Sequence, residues 1–178
     1  MIILYPTDTS YAIGCDARSE KDINEIFEIK KRDRVKTLPL ISSSIEMVDD
    51  WFELEGQARK IALKYWPGPL TLVLPVKKSG LSSLVVKDGC AAVRVPSSEQ
   101  SRALSMDIGA PIVSTSANIS GGGCSYSVKD ALSSLGSKSK IVGRIIDAGE
   151  LARSGPSTIV QIKGDKIKIL RQGVICLK

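Results

Sequence analysis

Short apolar runs alternate with segments of helical periodicity along the whole chain, and this alternation constrains the fold more than any other feature. Apolar runs of this length predict strands at residues 2–5, 38–41, 71–76, 91–95, 111–114, 141–146, 157–162 and 166–170. Apolar residues at helical spacing predict helices at residues 19–30, 45–52, 57–66, 101–108 and 128–135. The order predicts an α/β fold with helices and a twisted sheet of mixed parallel and antiparallel strands.

Local signals set the ends of several of these elements. Ser19 and Asp22 resemble a capping box at the start of a helix, and Gly109 is placed to end another. Gly164 and Asp165 stand between two strand patterns, which predicts an antiparallel hairpin there.

The size of the chain predicts one domain. It has 178 residues and 43% hydrophobic residues, enough for one sizeable core, and no linker divides it, so residues 1–178 are assigned to a single domain. No apolar run approaches the roughly 20 residues of a membrane span, and no charged start of a signal peptide precedes residues 2–4. We therefore expect a cytoplasmic protein that does not cross a membrane.

The absence of histidine excludes several kinds of chemistry. A Ser-His-Asp triad, a Cys-His dyad, a histidine base and a histidine-ligated metal all need a residue type that the chain lacks. The four cysteines are far apart and form no CxxC pair, so the sequence favours buried free thiols over a zinc site or a disulfide framework. No metal site built directly from protein side chains is predicted.

The charge balance favours an anionic ligand. Lys and Arg number 25 against 19 Asp and Glu, a net charge of +6, which suits nucleotides, acidic metabolites or RNA without choosing among them.

Hydroxyl-rich segments follow two of the predicted strands. Residues 6–11 come after the first strand, where an α/β sheet usually exposes its ligand crevice, although taken alone they are more often an ordinary turn. Residues 114–121 follow another apolar run, and their hydroxyl and backbone N–H groups could form an anion-binding nest or a plain turn. Gly121-Gly122-Gly123 is followed by Cys124, so this segment is not a P-loop.

Basic residues occur in two informative contexts. Lys30, Arg32, Arg34 and Lys36 could form a fork for a triphosphate or a solvated run of charge. Arg94 lies within an apolar strand, where its charge requires a salt bridge, an exposed strand face or an anionic ligand such as a carboxylate.

The motifs together resemble a known family. In chain order they are Pro6-Thr7-Asp8-Thr9-Ser10-Tyr11, Lys30-Lys31-Arg32, Trp66-Pro67-Gly68-Pro69-Leu70-Thr71, Ala92-Val93-Arg94-Val95-Pro96, Ser114-Thr115-Ser116-Ala117-Asn118 with Ser120-Gly121, Ser157-Thr158-Ile159, and Arg171. Their order and spacing resemble the YrdC-like threonylcarbamoyl-AMP synthase family, in its short single-domain form. The resemblance extends over nearly the whole chain and implies a YrdC-like fold.

The resemblance implies an enzyme of the nucleotidyltransferase class. Such enzymes condense L-threonine, bicarbonate and ATP into threonylcarbamoyl-adenylate and pyrophosphate, with Mg²⁺ accompanying the ATP. A separate downstream transferase then moves the threonylcarbamoyl group to tRNA, with which direct contact is also implied.

The same resemblance assigns roles to residues. It implies that Lys30, Arg32 and Arg94 are catalytic. The residues implied for threonine are Thr9, Arg94, Thr115 and Ser157, and those implied for the nucleotide are Lys30, Arg32, Lys36, Ser116, Asn118 and Arg171. Asp8 is given no catalytic role, because its carboxylate could equally well bind Mg²⁺ or stabilise a turn.

Two departures from the family pattern bear on the site. Asp33 follows Arg32 where the family commonly has proline, which weakens the assignment of Lys36, and Ala12 replaces the glycine usually found after the tyrosine.

The alternative function is a module that binds tRNA or structured RNA without ATP turnover.

Overall fold

The computed structural model describes residues 1–164 and 166–177, without the side chain of Lys163. The strands are β1 (Ile2–Pro6), β2 (Tyr11–Gly14), β3 (Leu40–Ile41), β4 (Leu70–Pro75), β5 (Cys90–Arg94), β6 (Ile112–Val113), β7 (Thr115–Ser116), β8 (Val142–Ile145), β9 (Thr158–Lys163) and β10 (Lys166–Arg171). The α-helices are α1 (Glu20–Lys30), α2 (Ile45–Trp51), α3 (Gly56–Tyr65), α4 (Glu99–Ile108) and α5 (Val128–Leu135), and a 3₁₀ helix spans Gly136–Ile141.

The strands form two mixed sheets. One has the order β7-β2-β1-β8, in which β1 is antiparallel to β2 and parallel to β8. The other has the order β10-β9-β4-β5-β3-β6, in which the β4–β9 and β3–β5 pairs are parallel. The predicted α/β class with mixed strand pairing is confirmed, with the strands divided between two sheets instead of forming one. The assignment of residues 1–178 to one domain stays a prediction.

Two short strands that the apolar runs of the sequence do not predict create this division. In β2 and β7, Ala12 pairs with Ser116 and Ile13 with Thr115 in antiparallel register. Only Ser114 separates β6 from β7, so the chain leaves the six-stranded sheet and enters the four-stranded sheet within one residue. The β2–β7 pair brings the two hydroxyl-rich segments side by side.

Gly14 allows the end of β2 to lie directly against β6. A Cβ atom at this position would lie 1.8 Å from the carbonyl oxygen of Val113 and 2.9 Å from the hydroxyl of Tyr5. The backbone N–H of Val113 donates to the Cys15 carbonyl at 2.8 Å, and the Tyr5 hydroxyl donates to the Val113 carbonyl at 3.1 Å. The two sheets are therefore joined at a contact that has no room for a side chain.

We expect Gly14→Ala to lower the free energy of unfolding by about 3 kcal/mol, because the added methyl group can be accommodated only if backbone moves. Thermal or urea unfolding measures this change. Gly123→Ala is the matched control, since a Cβ on Gly123 meets no atom within 4 Å. Equal stability of the two variants would contradict the tight contact.

The helix ends follow the predicted signals. The Ser19 hydroxyl accepts from the Asp22 backbone N–H as the N-cap of α1, and Gly109 ends α4 in the left-handed conformation with φ of 69°. Helix α4 begins at Glu99, two residues before the predicted start, because Ser98 is its N-cap. Among the described residues, none of the helices has the length and apolar content needed to span a bilayer.

The C-terminal segment folds back on the start of β9. The Thr158 hydroxyl donates to the Ile175 carbonyl at 2.8 Å and accepts from the backbone N–H groups of Gly173 and Ile175, both at 3.0 Å. A Cβ on Gly173 would lie 2.2 Å from the Pro156 carbonyl oxygen. The predicted hairpin is present as the antiparallel pair β9–β10, and Asp165 of its turn lies outside the described residues.

Candidate active site

A cleft of about 600 Å³ is lined by residues of both sheets. Eight of the ten site residues predicted from the sequence line it: Thr9, Arg32, Lys36, Arg94, Thr115, Ser116, Ser157 and Arg171. The other two, Lys30 and Asn118, line an adjoining pocket of about 470 Å³. Arg32, Lys36 and Ser116 line both, so the structure brings all ten residues into one continuous region.

Arg94, the last residue of β5, is held in the cleft by residues after β1. Its Nη1 lies 2.6 Å from the Asp8 Oδ1 atom, and its Nη2 donates to the Thr9 hydroxyl at 3.2 Å. The two side chains of the Arg94–Asp8 pair are only 8% and 7% exposed. The salt bridge that the sequence left open for Arg94 is therefore present, and Arg94 also lines the cleft.

A tight turn fixes the loop between β1 and β2. The Thr7 hydroxyl donates to the Ser10 carbonyl at 2.7 Å and accepts from the backbone N–H groups of Thr9 and Ser10, both at 3.2 Å. The backbone N–H of Thr7 also donates to the Ser10 carbonyl, at 3.0 Å. The hydroxyl groups of this loop are therefore positioned before any ligand enters.

Lys30, at the end of α1, holds the loop after β7. Its ammonium group is 2.6 Å from the Ser116 carbonyl, 2.9 Å from the Asn118 carbonyl and 3.0 Å from the Asn118 Oδ1 atom. The residue is 2% exposed, and burial, with a smaller contribution from the Arg32 charge, lowers the pKa of its amine to about 8. An ammonium has three protons to donate, and three protein oxygens accept them here.

The loop after β7 is closed by its own polar side chains. The Ser116 hydroxyl donates to Asn118 Oδ1 at 2.8 Å, and Asn118 Nδ2 donates to the carbonyls of Gly122 and Gly123 at 2.6 and 2.9 Å. Asn118 thus links the start of the loop to Gly122 and Gly123, and Lys30 holds Asn118. The segment 114–121, for which the sequence allowed a nest or a plain turn, is a loop held by these hydrogen bonds.

Arg32 organises the segment that follows α1. Its Nε donates to the Lys36 carbonyl at 3.1 Å and its Nη2 to the Thr37 carbonyl at 3.0 Å. These bonds bend residues 32–37 so that both Arg32 and Lys36 line the cleft. Arg34 instead contacts Asn24 and Glu28 of α1, so the alternate cations do not all face the same way.

Arg171 and Ser157 form the wall contributed by β9 and β10. Arg171 donates to the Ser157 carbonyl from Nε and Nη2, at 3.0 and 2.7 Å, and to the Ser157 hydroxyl from Nη2 at 2.9 Å. The Ser157 hydroxyl also lies 2.9 Å from the hydroxyl of Thr71 in β4. This network fixes Ser157 at the edge of the cleft.

The charge of the cleft is entirely positive. Its cations are Arg32, Lys36, Lys87, Arg94 and Arg171, and none of the lining residues that the structure describes is Asp or Glu. Asp8 is the carboxylate partner of Arg94 and is not among the lining residues. Such a site favours a ligand with several negative charges.

Sequence reasoning missed part of the lining. Ser10 and Lys87 line the cleft, as do apolar residues including Val73, Ile159 and Leu170. The position of Arg94 in an apolar strand indicated that its guanidinium has a partner, because a buried charge needs one, and the partner is Asp8. The prediction that the cysteines are buried free thiols is correct for Cys15 only. Cys90 is half-buried, Cys124 and Cys176 are exposed, and Cys124 lines the cleft.

A group of metal-ligating side chains is not found in the described part of the chain. No three Cys, Asp or Glu residues cluster there as a metal site would require. The two Asp8 oxygens accept hydrogen bonds from Arg94 and from Ser97.

The fold and the cleft define an α/β protein in which residues of two mixed sheets line a cationic cleft suited to a small anionic ligand. The model of the Sua5/YciO/YrdC family, described as "Telomere recombination", matches residues 1–173. The chain belongs to this family.

Relatives with assigned names support a narrower comparison. The chain is 36% identical over 174 residues to a putative threonylcarbamoyl-AMP synthase of Methanocaldococcus jannaschii, covering 98% of this chain and 80% of that protein. It is 36% identical over 177 residues to the threonylcarbamoyl-AMP synthase of Aliivibrio fischeri, covering 97% and 92%.

A solved structure of P. abyssi Sua5 in complex with L-threonine has a similar fold. The TM-score is 0.86 at 30% sequence identity, over 97% of this chain and 50% of that one. The chain therefore spans about half the length of that relative.

Proposed function

We propose that this protein condenses L-threonine, bicarbonate and ATP into threonylcarbamoyl-adenylate with release of pyrophosphate, as a nucleotidyltransferase. The observation that carries the proposal is the cleft of five cations without a lining carboxylate, in a chain whose relatives are named threonylcarbamoyl-AMP synthases. The volume of about 600 Å³ is within the range of ordinary small-molecule sites.

The threonine end of the cleft is the region around Arg94. The Arg94 guanidinium receives the substrate carboxylate, and Thr9, Thr115 and Ser157 supply hydroxyl groups around it. Asp8 holds the guanidinium from behind at 2.6 Å, so the orientation of Arg94 is set before threonine binds. That P. abyssi Sua5 has been solved in complex with L-threonine supports threonine as the ligand.

The nucleotide end is the region around Arg32 and Ser116. Arg32, Lys36 and Arg171 neutralise phosphate charge, while Lys30 and Asn118 keep Ser116 in place from the adjoining pocket. Positive charge there stabilises the pyrophosphate as it leaves.

The reaction needs no nucleophile from the protein. The threonine amine attacks the carbon of bicarbonate or CO₂, and the resulting carbamate attacks the α-phosphate of ATP. A chain without histidine can support these steps by positioning and electrostatics. Mg²⁺ enters with the phosphates of ATP as part of the substrate, since the nearby Asp8 carboxylate is already bonded on both oxygens.

The partners and location expected from the sequence stay predictions. These are contact with tRNA or double-stranded RNA, a downstream threonylcarbamoyl transferase, and a cytoplasmic location. The described residues include no helix able to cross a membrane.

Pyrophosphate release from Mg²⁺-ATP, with L-threonine and bicarbonate omitted in turn, tests the proposal. We expect release only when all three substrates are present, because the carbamate must form before the α-phosphate is attacked. Release that ignores threonine would contradict the proposal. No release, together with RNA binding that weakens steeply with salt, would favour the RNA-binding alternative.

A further inference from the structure

Ser10 presents an unused hydroxyl group inside the cleft. The residue is 5% exposed and lines the cleft, yet its Oγ atom has no hydrogen-bond partner among the described residues. Among the described residues only Ser42 has a side-chain oxygen that is both fully buried and without a partner, so the Ser10 oxygen is open to the cleft and available to a ligand there. The Ser10 backbone, by contrast, is bonded at both N–H and C=O to Thr7.

The position of Ser10 lies between the two ends of the site. On one side its neighbour Thr9 accepts a hydrogen bond from Arg94. On the other side Ala12, two residues along, pairs with Ser116 across the β2–β7 ladder. Ser10 and Ala12 line the cleft while Tyr11 between them is fully buried, as expected when alternate residues face the same side.

The spacing limits what can bind there. Residues two apart in an extended segment are separated by about 7 Å, so Ser10 directly follows the residue that bonds to Arg94 and is one such step from the residue that pairs with Ser116. Ala12 contributes only a methyl group, which leaves space for a small ligand. In the proposed reaction, the group between the threonine amine and the α-phosphate is the one-carbon unit.

We propose that the Ser10 hydroxyl donates a hydrogen bond to an oxygen of bicarbonate, and then of the carbamate, and so forms the subsite of the one-carbon substrate. This inference rests on the proposed function. The threonine nitrogen of the neutral amine bonds to the bicarbonate carbon as the C–OH bond of bicarbonate breaks, and the departing hydroxide takes one amine proton and leaves as water. A carbamate oxygen then bonds to the α-phosphorus as the bond to pyrophosphate breaks.

Ser10 takes no proton in these steps and forms no covalent bond. A hydrogen bond from its neutral hydroxyl to an anionic oxygen is stronger than a hydrogen bond between two neutral groups. The Thr7 turn holds the Ser10 backbone, so the donor is oriented without a change in the loop. Thr115, whose hydroxyl also lacks a partner among the described residues, remains assigned to threonine.

The test is Ser10→Ala, measured by pyrophosphate release in CO₂-free buffer with titrated bicarbonate. We expect the KM for bicarbonate to rise about 10- to 100-fold, as for loss of a hydrogen bond to a charged group. The KM values for ATP and L-threonine should stay close to those of the wild type, and calorimetry should find unchanged threonine binding. Ser10→Cys, with its weaker donor, should be intermediate.

Ser42→Ala is the matched control. The Ser42 hydroxyl has no partner among the described residues either, but it is fully buried and Ser42 does not line the cleft, so its loss should leave all three KM values unchanged. An unchanged bicarbonate KM in Ser10→Ala, or an equal rise in all three, would overturn the subsite. Failure of the wild-type protein to release pyrophosphate would instead overturn the proposed function, and the subsite with it.

Discussion

Arg94→Met is expected to lower kcat/KM for threonine by about 10²- to 10³-fold, with a much smaller effect on ATP binding. The substitution removes the guanidinium that receives the substrate carboxylate and keeps a side chain of similar length. Threonine-dependent pyrophosphate release measures the effect, and calorimetry with L-threonine measures the loss of binding directly. Arg144→Met, an exposed change in β8, is the control and should behave as the wild type.

The same substitution should also destabilise the fold. Without Arg94, the Asp8 carboxylate stays buried and unpaired, which costs about 3–5 kcal/mol in comparable cases. Adding Asp8→Asn removes that charge, so the double variant should recover most of the stability and none of the threonine turnover. Recovery of turnover in the double variant would show that Arg94 contributes through folding alone.

Lys30→Met is expected to abolish turnover and to lower the free energy of unfolding by about 3 kcal/mol or more, because three oxygens lose their donor at once. Without that donor, the segment carrying Ser116 and Asn118 is no longer held against α1. Pyrophosphate release and thermal unfolding check the two effects. Lys60→Met, on the exposed face of α3, should change neither, and a fully active Lys30→Met variant would contradict this role.

The pH dependence of stability offers a second test of Lys30. Its pKa is lowered to about 8 in the folded protein from an ordinary value of 10.5, so between these values the unfolded chain binds a proton that the folded one releases. The free energy of unfolding should therefore rise with pH across this window, by on the order of 2–3 kcal/mol. Activity should fall over the same range as the ammonium loses a donor proton. Lys30→Met should lack the rise in stability, and an identical pH slope in both proteins would contradict the buried amine.

Much of the fold was predictable because its signals are local. Helix α1 begins after the predicted Ser19 cap, α4 ends at the predicted Gly109, and helix α5 has the predicted bounds. The predicted strands are all present, within a few residues at each end. Capping and periodicity depend on residues within one or two turns, and a single sequence contains that information.

The division into two sheets was not predictable in the same way. Strand β7 has two polar residues and β2 ends at a glycine, so neither has the apolar alternation of an ordinary strand. Strand β2 also pairs with the neighbouring β1, but β7 is a strand only because it pairs with β2 across more than a hundred residues. Long-range pairing of this kind leaves no periodic signal in either segment.

The residues of the candidate site were predictable from the sequence, and the contacts between them were not. The residues taken from the motifs all lie in the cleft or its adjoining pocket. The Asp8–Arg94 pair and the contacts of Lys30 join residues 86 and 88 positions apart, and neither spacing has a sequence signature. Ser10 was visible only as one of several hydroxyls, because its lack of a partner is a property of the folded chain.

The pairing of early strands with later ones has a consequence for biosynthesis. Strand β4 pairs in parallel with β9, and β1 pairs in parallel with β8. Neither sheet is therefore complete until these later strands have been synthesised. A nascent chain halted before Thr158 would expose the unpaired edge of β4, a known liability for aggregation. The chain must therefore have emerged from the ribosome as far as Arg171 before all the walls of the cleft are in place.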